Sequence, residues 1–344
     1  MIIRSANMDI SHRKQMILAE IVALHTDSGD PIGSRLLQEF LRDFSVSTAT
    51  LRNEMAQLTN LGLLEQPHTS AGRVPTELGY RYYLNNLMQV KPLSRAEIKN
   101  IQDEVNKMDT DPDKAAEFAA DSLAKLSGLG AITSTPITTE TQISYYDLVK
   151  VGRYNIAVLG VTNLGALKTR VCRTDLELSD ADLTLIRNLL NSTMRFVSAS
   201  DVTEDRQQEI IDQCGDMKDK YAGVIKAAMK LLESAGDVRV FRSGQKTLLR
   251  FPEIADHVDE VVQLFEDTDG LAKLLSSEGG VECYVGRELG PGFDNLSMVV
   301  GRYRVAGGGH GGLAVVGPVR MNYESIVPRL SAYCKAMSEA LAQR

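Results

Sequence analysis

Apolar residues recur every three or four positions along the first sixty residues, which predicts three short helices. The first two apolar stripes are Ile17, Leu18, Ile21, Val22 and Leu24, and then Ile32, Leu36, Leu37, Phe40 and Leu41. Residues 27–31 form a turn signal between them, and the second helix is expected to stop near Asp43. A third helix is expected to begin after Ser47, a good N-cap residue, and to end at Gly62. Its apolar stripe consists of Leu51, Met55, Leu58 and Leu61.

Two short extended segments follow, residues 63–67 and 73–76, with a tip of small residues between them. This pattern predicts a β-hairpin. Three helices followed by a hairpin are the order of elements in a winged helix-turn-helix. An aromatic-rich helix at 80–88 then leads to a Lys-Pro pair, and proline stops a helix. We therefore place the first domain at residues 1–91.

The rest of the chain mixes helical and strand patterns and predicts an α+β fold. The expected helices are 94–108, 113–126, 179–196, 204–234 and 256–276, with a terminal helix from about Tyr323. The expected strands are 142–149, 154–161, 167–173, 281–286, 296–305 and 313–316, with a small hairpin of 238–241 and 248–251. Two strand-rich blocks separated by helices suggest one domain, residues 92–203 and 277–344, interrupted by an inserted domain at 204–276.

Composition narrows the class of protein. The chain has 344 residues, 43% of them hydrophobic and 24% charged, as expected for a folded protein of more than one domain. It contains neither an apolar run of about 18 residues nor an apolar core in its first eleven, so we expect no membrane partner and a cytoplasmic location. The net charge of −7 argues against bulk electrostatic coating of nucleic acid and leaves room for a local footprint. Four scattered cysteines without a CxxC pair predict no metal site, and no cofactor is expected.

The third predicted helix has an outer face that is polar but almost uncharged. Asn53 and Gln57 lie opposite Leu51 when residues are placed 100° apart around the axis. Asn and Gln can pair with adenine through two hydrogen bonds in the major groove, so this face favours DNA reading. The candidate DNA-binding residues on this helix are Ser47, Thr48, Thr50, Arg52, Asn53 and Gln57. The alternative is a polar helix that merely caps a small core.

The predicted hairpin provides a second candidate contact with DNA. Its tip is small enough for the backbone to approach phosphates, and His68, Thr69, Ser70 and Arg73 offer hydrogen-bond donors to them. The alternative is an ordinary β-turn in which Gly72 supplies a positive φ and the arginine is solvated.

Two other patterns are weaker. Gly307, Gly309 and Gly312 match GxGxxG, but an expected strand rather than a helix follows, so a connection between strands is favoured over a nucleotide site. Glu282 and Glu288 could form an acid/base pair. No histidine, serine nucleophile or metal cluster accompanies them in sequence, so structural carboxylates are favoured and an enzyme is not expected.

Several runs resemble one family, the heat-inducible transcription repressors HrcA. The resemblance is carried by PIGSR at 31–35, STATLRNEM at 47–55, QPHTSAGRVPT at 66–76 and GYR at 79–81, and then by GRE at 286–288 and GPVRMNY at 317–323. Thr59 and Asn322 depart from the family pattern, since an acidic residue is expected at each. Neither is expected to touch the DNA face.

The resemblance implies a homodimeric repressor of chaperone operons that binds double-stranded DNA at an inverted-repeat operator, the CIRCE element. It implies a winged helix followed by a GAF-like α/β domain that carries an inserted dimerisation domain. It also implies that a GroEL-type chaperonin promotes repression. The alternative is a regulator that senses a small ligand through the GAF-like domain, which a cavity of a few hundred Å³ near residues 307–312 would favour.

Overall fold

The computed structural model describes residues 8–41, 46–137, 141–198, 201, 203–277 and 279–342. Its N-terminal part contains the three expected helices and the expected hairpin, followed by a fourth helix. These elements are α1 (His12–Ser28), α2 (Ser34–Phe40), α3 (Thr48–Asn60), β1 (Leu64–Glu65), β2 (Val74–Pro75) and α4 (Glu77–Asn86). The predicted stop of the second helix, near Asp43, lies outside the described residues.

Helix α3 buries the predicted apolar stripe except at its end. Leu51, Met55 and Leu58 are at most 4% exposed, and α3 packs against α1 and α2. Leu61, the last residue of the predicted stripe, is instead 38% exposed. The helix ends before it, and Gly62 turns the chain with a left-handed φ of 74°, so Leu61 no longer follows the helical spacing.

The elements beyond residue 90 combine helices with two sheets. In chain order they are α5 (Arg95–Val105), α6 (Pro112–Ser127), β3 (Gly130–Ser134), β4 (Ile143–Lys150), β5 (Asn155–Thr162), β6 (Leu167–Arg173), α7 (Asp180–Thr193), α8 (Glu204–Asp212), α9 (Lys218–Ala235), β7 (Val240–Ser243), α10 (Gln245–Leu248), α11 (Pro252–Ala255), α12 (Val258–Glu266), α13 (Thr268–Ser276), β8 (Glu282–Val285), β9 (Leu296–Arg304), β10 (His310–Pro318) and α14 (Tyr323–Ala342). The fold is α+β.

The larger sheet is antiparallel, with its strands in the order β7-β3-β10-β9-β8. The sequence does not predict β3, because every residue of this strand is buried and no alternation of apolar and polar positions marks it. It also predicts a hairpin where β7 is found. That prediction is wrong, since β7 pairs with β3 and the chain after it forms α10.

A smaller antiparallel sheet, β4-β5-β6, shares a separate hydrophobic core with α7, α8 and α9. The chain leaves the larger sheet after β3 and returns to it at β7, so this unit is inserted between two neighbouring strands. The insertion expected from the sequence, 204–276, differs from this inserted unit. Helices α8 and α9 belong to the smaller core, whereas β7 and α10 to α13 contribute to the larger one. Among the residues that the structure describes, the strands at 143–173 form ladders only with one another, which sets this division.

Three observations bear on the class of protein. The described helices include none with the length and apolar character needed to cross a membrane. All four cysteines are free thiols. Within the described ranges, no group of three or more His, Cys, Asp or Glu side chains is arranged to hold a metal ion.

Candidate nucleic-acid interface

Hydroxyl groups cap the N-terminus of α3. Ser47 Oγ accepts a hydrogen bond from the backbone N–H of Thr50 at 3.1 Å, and the hydroxyl oxygens of these two residues lie 2.9 Å apart. This is the N-cap that the sequence predicts. Thr48 and Thr50 are half-buried, whereas Ser47 is exposed. All three candidate residues therefore lie at the start of α3, where two of the hydroxyls already hold the helix end.

The outer face of α3 presents amide side chains to solvent. Asn53 and Gln57 are exposed, on the side opposite the buried stripe. Arg52 is also exposed, and its Nε donates to Ser34 Oγ at 3.2 Å, at the start of α2. The arginine thus keeps its charge at the surface while one hydrogen bond steadies it against the neighbouring helix.

The acidic residue of α3 is neutralised by α1. The carboxylate of Glu54 lies 3.1 Å from Lys14 Nζ and 3.7 Å from the Arg13 guanidinium. These ion pairs offset the negative charge of the Glu54 side chain. They also tie α3 to the first helix.

The hairpin tip is held in shape by bonds to its own backbone. The side-chain amide of Gln66 donates to the carbonyl oxygens of Thr69 at 2.9 Å and Ala71 at 3.0 Å. The Ala71 N–H donates to the carbonyl of His68 at 2.8 Å. His68, Thr69 and Ser70 are all exposed, so the tip offers three polar side chains from an ordered turn.

Gly72 is required by a close approach rather than by its φ. A Cβ at this position would lie 2.3 Å from the carbonyl oxygen of Ile32 and 2.8 Å from the backbone nitrogen of Gly33. Its φ is not positive, so the alternative interpretation of Gly72 as a positive-φ turn residue is wrong. The base of the hairpin therefore packs directly on the turn between α1 and α2.

Arg73 links the hairpin to both of its neighbours. Its backbone exchanges two hydrogen bonds of 2.9 Å with Ile32, and its half-buried side chain donates from Nε to Thr59 Oγ1 at 3.0 Å. The sequence predicts that Thr59 lies away from the DNA face. The hairpin folds back along α3 and brings Arg73, a candidate phosphate-binding residue, onto Thr59. The position of Thr59 relative to DNA stays a prediction.

The comparisons with known proteins identify the family. A family model described as the HrcA protein C terminal domain matches residues 113–327, more than half of the chain. The chain belongs to the HrcA family. This confirms the resemblance carried by the sequence motifs.

Full-length HrcA relatives and one solved structure are similar along nearly the whole chain. The heat-inducible transcription repressor HrcA of Pelotomaculum thermopropionicum is 30% identical, over 97% of each chain. That of Halalkalibacterium halodurans is 29% identical, over 94% of this chain and 96% of the relative. A crystal structure of a protein described as hypothetical has a TM-score of 0.65 at 22% identity, covering 97% of this chain and 99% of that one, and it shares the fold.

Several HrcA-like motifs outside α3 and the hairpin meet at a joint between the N-terminal helices and the larger sheet. Arg81 of α4 donates from Nε to Glu288 Oε1 at 2.7 Å and from Nη2 to the carbonyl oxygen of Cys283 at 2.6 Å. The Tyr83 hydroxyl donates to the Glu324 carboxylate at 2.5 Å. The GYR and GRE motifs contain Arg81 and Glu288, and the sequence predicts a structural carboxylate at Glu288 without indicating its partner.

Arg320 closes another part of the same joint. Its Nε donates to the Glu253 carboxylate at 2.5 Å, and its Nη1 donates to the carbonyl oxygen of Thr26, near the end of α1, at 3.1 Å. His25 lies beside it, with Nδ1 2.8 Å from the Tyr80 hydroxyl oxygen. Burial, together with the positive charge of Arg320, lowers the pKa of His25 to about 4. The joint thus holds this histidine neutral.

The weaker sequence patterns have structural positions in the HrcA chain. Glu282 lies 2.9 Å from Arg302 Nη2, and Glu288 is held by Arg81, so each carboxylate is paired with an arginine. Residues 307–312 lie between β9 and β10 and within the start of β10. A strand therefore follows this glycine run, as the sequence predicts, but it begins earlier than expected, at His310.

A cavity of about 580 Å³ lies between the end of α1 and helices α5, α6 and α14. Its apolar walls include Ile101, Leu123 and Leu330. The ligand-sensing alternative expects a cavity near residues 307–312. None of these residues lines this cavity.

Proposed function

We propose that this chain represses transcription by binding, as a homodimer, an inverted-repeat operator of the CIRCE type upstream of chaperone genes. Residues 1–91 would act as a winged helix-turn-helix, with α3 in the major groove and the hairpin as the wing. The observation that carries the proposal is the exposed, uncharged amide face of α3 in a member of the HrcA family. Repression of this kind needs no catalysis.

Helix α3 would supply the base contacts. Asn53 and Gln57 can each donate and accept at an adenine edge, and neither adds a charge that binds all sequences alike. Arg52 would reach a guanine edge or a phosphate from the same face. The hydroxyl residues Ser47, Thr48 and Thr50 stand at the helix start, where phosphates and thymine methyl groups come within reach.

The hairpin would supply backbone contacts. His68, Thr69 and Ser70 at its tip, with Arg73 at its base, would donate to phosphates or enter the minor groove. Such contacts fix the orientation of the module on the duplex without reading sequence. Helix α3 would therefore read the base sequence, and the hairpin would position the module on the duplex.

A second copy of the chain would pack on the open face of β4-β5-β6. Helices α7 and α9 pack against this sheet from the core side. The open face carries apolar rows across the strands, namely Tyr145, Val161 and Leu167, and then Val149, Ala157 and Val171. Leu167 and Val171 are 54% and 61% exposed, which is costly for a surface that stays in water.

Charge and symmetry also favour a second copy as the partner. Asp147, in the strand row between the two apolar rows, lies 3.5 Å from the Arg187 guanidinium, so its charge is offset. A two-fold pair presents two α3 helices, as an inverted repeat requires. We therefore propose residues 141–236 as the dimerisation domain, in place of 204–276.

The larger sheet and its helices would form the GAF-like domain of the family, from residues 92–140 and 237–342. As the resemblance implies, a GroEL-type chaperonin would promote operator binding. A protein that acts on an operator works in the compartment that holds the DNA, in agreement with the cytoplasmic location expected from the sequence.

Footprinting on the upstream regions of chaperone genes from the same cell tests the proposal. We expect protection of two half-sites related by a dyad, each centred on the major groove, at a protein concentration that leaves scrambled duplex unprotected. The absence of any protected dyad in these regions would contradict the proposed function.

A further inference from the structure

The side chain of Arg73 is held by the neutral hydroxyl group of Thr59. Thr59 Oγ1 accepts from Arg73 Nε at 3.0 Å and donates to the carbonyl oxygen of Met55 at 3.0 Å. The hydroxyl thus relays a hydrogen bond from the hairpin to the backbone of α3. Both roles of a hydroxyl group, donor and acceptor, are used.

This contact positions the guanidinium without neutralising it. Within the described part of the chain, no acidic side chain forms an ion pair with Arg73. Besides the Nε bond, Arg73 donates from Nη1 to the carbonyl oxygen of Gly72 at 3.3 Å. A guanidinium has five N–H donors, so most of them stay available to a phosphate.

Other arginines of the same molecule show the contrast. Arg81 and Arg320 are also partly buried, and each is paired with a carboxylate, Glu288 and Glu253. A carboxylate can bind an arginine through two parallel hydrogen bonds, which neutralises the charge of the guanidinium and occupies two of its donors. A hydroxyl group occupies one N–H donor and does not neutralise the positive charge.

We propose that Thr59 is a positioning residue that fixes Arg73 between α3 and the hairpin while leaving its full charge for a DNA phosphate. The two backbone hydrogen bonds to Ile32 fix the position of the Arg73 backbone, and the hydrogen bond to Thr59 fixes the direction of the Arg73 side chain. The residue at 59 thereby decides how much positive charge the wing brings to DNA. This inference rests on the proposed function.

A charge swap at position 59 tests the inference. The full-length Thr59→Glu and Thr59→Gln variants have side chains of the same shape and differ in charge alone, so effects of size and helix packing cancel between them. Each is made in the native background and with Arg73→Ala. All are titrated with the footprinted operator and with a scrambled duplex across a series of salt concentrations.

We expect Thr59→Glu to bind both duplexes about tenfold more weakly than Thr59→Gln, by a similar factor for each. The slope of log affinity against log salt should fall by about 1 for each protomer, since one phosphate contact is lost. In the Arg73→Ala background, Glu and Gln at position 59 should bind alike within about twofold, because no guanidinium is left to neutralise.

Two outcomes would overturn the inference. One is an equal penalty for Glu over Gln with and without Arg73, which would mean general repulsion of DNA by the added charge. The other is an unchanged affinity and salt slope for Thr59→Glu. A native protein that binds no operator would instead overturn the proposed function and this inference with it.

Discussion

Some polar side chains on and next to α3 form hydrogen bonds within the protein, and others expose their amide groups to solvent. The hydroxyls of Ser47 and Thr50 close the helix end, and Arg52 reaches Ser34. Asn53 and Gln57 stay exposed. Sequence selectivity should therefore depend on the amides, because the other polar groups also serve the fold.

Asn53→Ala should lose operator affinity by about 1–3 kcal/mol and narrow the gap between operator and scrambled duplex. The loss of two hydrogen bonds to one base is the reason. Fluorescence titrations with both duplexes measure it, and Gln102→Ala, which removes an exposed amide on α5, is the control. An unchanged ratio between the duplexes would contradict a groove-reading role for Asn53.

His25 makes stability depend on pH. The unfolded chain protonates this residue near its ordinary pKa of 6.5, whereas the folded joint lowers that pKa to about 4 by burial and by Arg320. The stability from neutral His25 is thus complete above pH 6.5 and falls as the pH drops toward 4.

The His25→Gln variant should show a flatter loss of unfolding free energy between pH 6.5 and 4 than the native protein. Urea unfolding at a series of pH values checks this. His12→Gln, which removes an exposed histidine of α1, should retain the native pH dependence. If both variants behave alike, the half-buried His25 does not carry the effect.

The hairpin and the helices around it behave as one packed element rather than as a loop attached to a helix. Gly72 allows the base of the hairpin to touch the backbone of Ile32, and Arg73 continues this contact by a bridge of two hydrogen bonds. The hairpin should therefore keep a fixed angle to α3 in the absence of DNA.

Gly72→Ala should destabilise the protein by about 1–3 kcal/mol, because the new methyl group would overlap with backbone atoms that cannot rotate away. Urea unfolding measures the change. Gly280→Ala is the matched control, since a Cβ there meets nothing within 4 Å. Equal stability of both variants would show that the hairpin shifts freely.

At the scale of the whole molecule, three parts are connected by contacts of very different kinds. The N-terminal helices meet the larger sheet through partly buried arginine–carboxylate pairs. The smaller sheet is joined to the larger one by the chain that leaves β3 and returns at β7, and it keeps a core of its own. Its open apolar face is where we propose that two copies meet.

Val171→Lys should shift the protein from dimer to monomer, because a buried ammonium group would oppose its own copy across a two-fold interface. Operator affinity should then fall by a factor of about 10²–10⁴, through loss of effective concentration. Sedimentation and operator titration check both effects. Leu185→Lys on α7 is the control, since Leu185 is 60% exposed against 61% for Val171 but lies outside the sheet face. A dimeric Val171→Lys would contradict the proposed surface.

Sequence alone determined the features that depend on neighbours along the chain. Helical spacing and N-cap chemistry predict α1 to α3, the cap at Ser47 and the solvent-facing amides of Asn53 and Gln57. Such signals act within one or two turns, so they are legible in a single stretch of residues. The motifs likewise identified the family before any contact was known.

Tertiary structure alone decided which distant segments pair. The fully buried strand β3 has no periodic signal, and its pairing with β7 across the inserted unit could not be deduced locally. The contact of Arg73 with Thr59, and of Arg81 with Glu288, likewise joins groups that only the packed chain brings within hydrogen-bond distance. Partner choice in sheets and ion pairs depends on the geometry of the whole fold, and for that reason composition and spacing could name these residues without assigning their partners.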